Sequence, residues 1–174
     1  MVRGQRLPAA TKAKEPSAGP LYSHAWLQSS GFEGFVPISS LQRSHTAVPT
    51  GRGVYVVLRE TATPPRFLAT SKGGRFKENP TVAAELLHGR WHDRTPILYF
   101  GKAGSLRARI RTLVRFGAGE PIGHWGGRYL WQLEGCEAFL VAWREVADPR
   151  EVERDLLADF AAHFGGLPFA NIVG

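Results

Sequence analysis

Cysteine is nearly absent. Cys136 stands alone in 174 residues, so an internal disulfide framework is excluded and a reducing, cytoplasmic setting is the expectation. Long apolar runs are missing too: nothing approaches the roughly 18 residues of a membrane span. The N-terminus lacks the apolar stretch of a signal peptide, so no membrane partner is expected. The histidines show no zinc spacing; His88 and His92 are four apart, but Gly89 lies between them and no second ligand pair follows. Acidic side chains are outnumbered, 15 against 22 basic ones, which leaves a net charge of +7 and a pI of about 10.1. Such an excess suits nucleic acid, because fixed cations release the condensed counterions of a phosphate backbone; a merely basic surface gives the same total.

What is present is ordinary for a folded chain. Hydrophobic residues make up 43%, enough for one compact domain with a single core. Residues 1–20 carry Arg3, Arg6, Lys12 and Lys14 without periodicity and read as a disordered basic tail. Residues 21–50 mix aromatics with turn formers and read as an irregular lead-in. Two short apolar runs, Val54-Tyr55-Val56-Val57-Leu58 and Ile97-Leu98-Tyr99-Phe100, read as strands, and Ala138 to Trp143 as a third. Asn79-Pro80 reads as the opening of a helix that ends at Gly89. Further helices are expected from about Ala103 to Arg115, from Gly126 to Leu133, and from Asp148-Pro149 to about Phe164. The expectation is an α+β fold: a small three-stranded, mainly antiparallel sheet flanked by helices.

Two helices carry the chemistry. In the one after Gly101, Leu106, Ile110, Leu113 and Val114 share a face, and Arg107, Arg111 and Arg115 form a stripe along one side. The stripe suits phosphate contacts or, equally, a solvated face with ordinary ion pairs. Arg109 stands apart, roughly 60° from Leu106 on the opposite border of the apolar face, where it suits one directed contact. In the last helix Val152, Leu156, Leu157, Phe160 and Phe164 define the apolar face, and Glu153 falls in its middle. A carboxylate there is costly unless it is paired, bound to a cation or facing a cleft. Glu151, three residues after the expected N-cap Asp148, suits a capping-box role instead.

These residues fall in the order of a known family. Gly53-Val54-Tyr55 and Tyr99-Phe100-Gly101 resemble the two signature elements of the GIY-YIG nuclease domain, and Lys102 to Ile110 resembles its glycine-to-helix segment. The resemblance covers about residues 51–174. It implies Arg109 as the catalytic arginine, His124 near the scissile phosphate, Glu153 as the metal-binding glutamate and Asn171 as a buttress of the sheet. It further implies that Tyr55 orients or deprotonates the attacking water, assisted by Tyr99 and His124; a base role for the phenol needs nearby cations such as Arg109 or Lys102 to lower its pKa. Gly53 and Gly101 would support the strand ends, and Lys102, Arg107, Arg111 and Arg115 would contact the nucleic acid. The implied cofactor is Mg²⁺, with Mn²⁺ as a substitute, and the implied partner is DNA in preference to RNA. A catalytically inactive nucleic-acid-binding module on the same fold is the alternative. One departure is large: 43 residues separate Tyr55 from Tyr99, which requires an insertion at about 59–94. It contains the expected 79–89 helix, several cations and a Gly73-Gly74 point of flexibility, and could serve in substrate reading, as padding or as a partner surface.

Overall fold

A β-branched and aromatic run behind glycines makes β2 (Gly53–Leu58), and every residue of it is buried. In the computed structural model, which describes residues 21–172, β2 pairs on one side with β3 (Ile97–Ala103) and on the other with β4 (Leu140–Glu145). The expected tail at residues 1–20 lies outside the described residues. A further strand, β1 (Glu33–Pro37), adds to β4, so the sheet has four strands in the order β1-β4-β2-β3, all antiparallel. This corrects the expected three-stranded sheet and the irregular lead-in, because residues 21–50 also supply α1 (His24–Ser29) and α2 (Ile38–Arg43). The reason is local. β1 is bulged, with positive φ at Gly34 and Phe35, and is mostly unburied, so it carries no alternating apolar pattern.

Both sheet faces are covered. Tyr55, Val57, Tyr99, Val141 and Trp143 pack against α2 and α4 (Leu106–Gly117), together with a 3₁₀ stretch at Trp125–Gln132. Val54, Val56, Phe100 and Ala142 pack against α1 and α5 (Pro149–Phe164) through Leu27, Leu156, Leu157 and Phe160. Each fully buried aliphatic or aromatic side chain of this kind contributes about 1.5–3 kcal/mol.

Most helix boundaries follow from their caps. Ser105 accepts from the Ala108 amide to open α4, two residues after β3 ends at Ala103. Asp148 accepts from the Arg150 and Glu151 amides to open α5, and Gly165, in the left-handed region, closes it. The Glu151 carboxylate lies 3.6 Å from Arg154 rather than reaching back to the cap. The helix expected at 126–133 is instead the 3₁₀ stretch Trp125–Gln132 with a kink at Gly127, and Cys136–Ala138 is a separate 3₁₀ turn before β4.

The insertion departs furthest from expectation. Its helix, α3, covers only Ala84–Gly89. The Asn79 side chain accepts from the Thr81 amide in a local turn, while Gln132 binds both backbone groups of Val82. Those bonds hold residues 80–83 outside any helix. None of the helices in the described residues is long and apolar enough to cross a membrane.

Candidate active site

β3 is one of the two edge strands of the sheet, and α4 and α5 pack on its opposite faces. Tyr55 lies opposite Gly101 in the β2–β3 register, and its ring lies over the glycine: a Cβ at position 101 would sit 2.6 Å from the phenol oxygen. Gly53 is packed as tightly, its missing Cβ falling 2.8 Å from a Leu106 methyl. The glycines that flank each tyrosine are therefore places where only hydrogen fits. From this seat the Tyr55 hydroxyl meets His124 Nε2 at 2.8 Å. Tyr99 completes the triangle, with its ring centroid 5.9 Å from that of Tyr55 and 5.7 Å from that of His124.

Arg109, on α4, donates to the Gly123 carbonyl at 2.8 Å. Glu153, on α5, keeps 12% of its side chain exposed and pairs through Oε2 with the Lys102 ammonium. Together Tyr99, Lys102, Arg109, Gly126, Glu153 and Asn171 line a cleft of about 330 Å³. A larger hollow of about 790 Å³ lies at the other end of the sheet beside Phe139 and Leu140, away from this cluster.

Burial sets the electrostatics. It drives His124 down to about 3, with Arg109 adding to the effect, so the imidazole is neutral. It drives Tyr55 well above the ordinary phenol value; Tyr99 adds to the rise and Arg109 opposes it. Tyr99 is raised by burial as well, again opposed by Arg109. The condition for a Tyr55 base role is thus not met: Arg109 pulls the value down, but desolvation is larger. Exposure revises two further roles. Tyr55 and His124 are completely buried, whereas Tyr99 retains 7% exposure at the cleft wall. His124 therefore contacts Tyr55 rather than the cleft.

The expected nucleic-acid contacts divide. Arg107 donates to the Val48 and Thr46 carbonyls at 2.7 and 3.1 Å, and Arg115 pairs with Glu120. Arg111 is exposed and has no ion pair among the described residues. Lys102 is committed to Glu153. Asn171 binds β3: its side chain accepts from the Phe100 amide at 2.9 Å and donates to the Phe100 carbonyl at 2.8 Å. Arg90, counted in the sequence only as one of the insertion's cations, fixes this segment by donating to the Phe169 and Asn171 carbonyls. Nothing in its local sequence separates it from Arg66 or Arg94.

Among the described residues no group of three or more His, Cys, Asp or Glu side chains could hold a metal ion. A metal in this cleft would have Glu153 as its one lining carboxylate. That donor set fits Mg²⁺ or Mn²⁺, hard cations that accept one carboxylate beside water and phosphate oxygens, and does not fit Zn²⁺. No family model matches the chain, and neither do any of the curated proteins or solved structures.

Proposed function

We propose that this chain is a GIY-YIG-type nuclease that hydrolyses phosphodiester bonds in nucleic acid, DNA in preference to RNA, with Mg²⁺. The observation that carries the reading is convergence: Tyr55, Tyr99, Arg109, His124 and Glu153, on three core elements, a loop and the last helix, meet at one sheet edge. A tyrosine, an arginine and a nearly buried glutamate brought from separate parts of the chain to one cleft support a catalytic reading over packing alone.

The residues divide the work. Glu153 and a substrate phosphate would hold Mg²⁺, which when bound supplies Lewis-acid stabilisation of the leaving oxygen. Arg109, anchored by the Gly123 carbonyl, presents its guanidinium to the non-bridging oxygens as they gain charge. Tyr99, at the cleft wall, orients the attacking water. Tyr55 keeps its proton and, fixed by neutral His124, sets the position of Tyr99; both are positioning residues. In sum an O–P bond forms from water, the P–O3′ bond breaks, and the water proton ends on the 3′ oxygen.

Incubating the protein with plasmid, single-stranded DNA and RNA, with Mg²⁺ or with chelator, tests the reading. Cleavage is expected only with metal, and Glu153→Ala should lower it by at least about 100-fold, since it removes the sole carboxylate ligand. Undiminished Mg²⁺-dependent cleavage by Glu153→Ala would sink it. The Lys102–Glu153 pair favours a second reading, a nucleic-acid-binding module without catalysis, because an internal ammonium already neutralises the carboxylate. Salt-sensitive binding with no cleavage under any metal would select that reading.

A further inference from the structure

The insertion ends in an aromatic tip beside the cleft. Phe76 is 46% exposed, one of three large hydrophobics so displayed among the described residues. A lone exposed apolar side chain needs no explanation; Phe76 differs in its mounting and its neighbours. The tip Arg75-Phe76-Lys77-Glu78-Asn79 is exposed throughout, and neither cation beside the ring forms an ion pair among the described residues. With Glu78 included the tip is net positive.

Its base is held firmly. The Gly74 amide donates to the Phe116 carbonyl at 2.8 Å and the Lys72 amide to the Trp131 carbonyl at 2.9 Å. The Ser71 amide donates to the Thr81 hydroxyl at 3.0 Å, which closes the loop across its neck. A Cβ at position 74 would collide with the Glu120 carbonyl, so glycine there lets the loop lie flat on the 120–121 backbone. The Gly73-Gly74 pair thus serves close packing, not flexibility. A Cβ at Gly123 would meet the Phe76 ring edge at 3.6 Å, and the carbonyl of the same residue accepts from Arg109. One residue therefore separates the exposed ring from the arginine of the cleft.

We infer that Phe76 is a stacking platform for a nucleobase next to the scissile phosphate, with Arg75 and Lys77 on the adjoining phosphates. Every base has a π face that a fixed aromatic can take, and the flanking cations select a polyanion over an apolar peptide. Because the base of the tip is held beforehand, less ordering accompanies contact. The inference rests on the proposed site at Arg109 and Glu153.

The test uses Glu153→Gln protein, to prevent turnover, and DNA carrying a single 2-aminopurine moved stepwise along single strands and duplexes. A fluorescence change restricted to one position is expected. Phe76→Ala should abolish it and weaken binding about 5- to 150-fold, the range of one stacked base. The slope of log K against log salt should stay unchanged, because no phosphate contact is lost. Phe76→Trp should restore both signals, and heparin binding should not respond to Phe76→Ala. Undiminished DNA binding and fluorescence in Phe76→Ala, or an equal loss for heparin, would overturn the inference. Phe76-dependent binding by a chain whose unmodified form never cleaves would overturn the nuclease reading, and with it the scissile phosphate, while leaving the base-stacking role of Phe76 standing. Absence of any DNA binding overturns both.

Discussion

His124 sits fully buried with one ring nitrogen on the Tyr55 hydroxyl and the other, Nδ1, without a partner. Charging that ring would place a cation in the core next to Arg109, which is why its pKa falls from 6.5 to about 3. The linkage sign follows. Below pH 6.5 the unfolded chain binds a proton that the folded chain refuses, so stability is complete above 6.5 and falls as the pH drops toward about 3. The loss over that window is on the order of 4 kcal/mol. Urea unfolding at stepped pH should show it, and His124→Gln should flatten the curve. A slope unchanged in His124→Gln would mean that other groups carry the acid sensitivity. The same neutrality bears on cleavage: from about pH 5 to 8 the imidazole does not titrate, so the rate should show no inflection that His124→Gln removes.

At the scale of elements, β3 is a buried strand at the edge of the sheet. An edge strand leaves backbone groups open, and the chain closes those of Phe100 with the Asn171 side chain while Ala170 donates to the Leu98 carbonyl at 2.8 Å. Asn171→Ala leaves one donor and one acceptor unsatisfied in a buried place, a cost of about 2–5 kcal/mol. Denaturant titration should register that loss, and amide exchange should show the Phe100 N–H losing protection. Full protection at Phe100 in the variant would show that the edge is closed by something else. Elements such as β2, α4 and α5 were legible in the sequence because burial and period coincide there: β-branched runs behind glycine, Asp148-Pro149 at a cap, Leu106 and Ile110 on one face. Glu153 and Arg109 were legible because they break those patterns. β1 was not, since a bulge erased its alternation, and the 79–83 stretch misled because its helix signals are answered by Gln132, fifty positions away. The depth of Tyr55 and His124 was equally hidden: tripeptides show neighbours along the chain, whereas burial depends on what the fold lays over them.

For the whole molecule, a charge of +7 invites an electrostatic account of binding, yet where those charges sit decides how many can act. Three of the seven net charges belong to the first twenty residues. Within the fold, Arg107 is bound to backbone carbonyls, Lys102 to Glu153 and Arg115 to Glu120, whereas Arg111, on the same helix face, is open to solvent. The arginine stripe therefore separates into a clasp (Arg107), an ion pair (Arg115) and one exposed guanidinium (Arg111), though helical spacing treats its members alike. Arg107→Ala removes two hydrogen bonds that tie α4 to the 46–48 loop and should lower folding stability by about 1–3 kcal/mol, leaving the salt dependence of DNA binding unaltered. Arg111→Ala should do the reverse: stability stays within about 0.5 kcal/mol, and the slope of log K against log salt for duplex DNA shrinks by about 0.9, one phosphate contact. Paired urea titrations and salt-dependent binding isotherms measure both quantities on the same proteins. If Arg107→Ala also reduces the slope, its guanidinium reaches a phosphate despite the clasp, and the whole stripe belongs to the binding face.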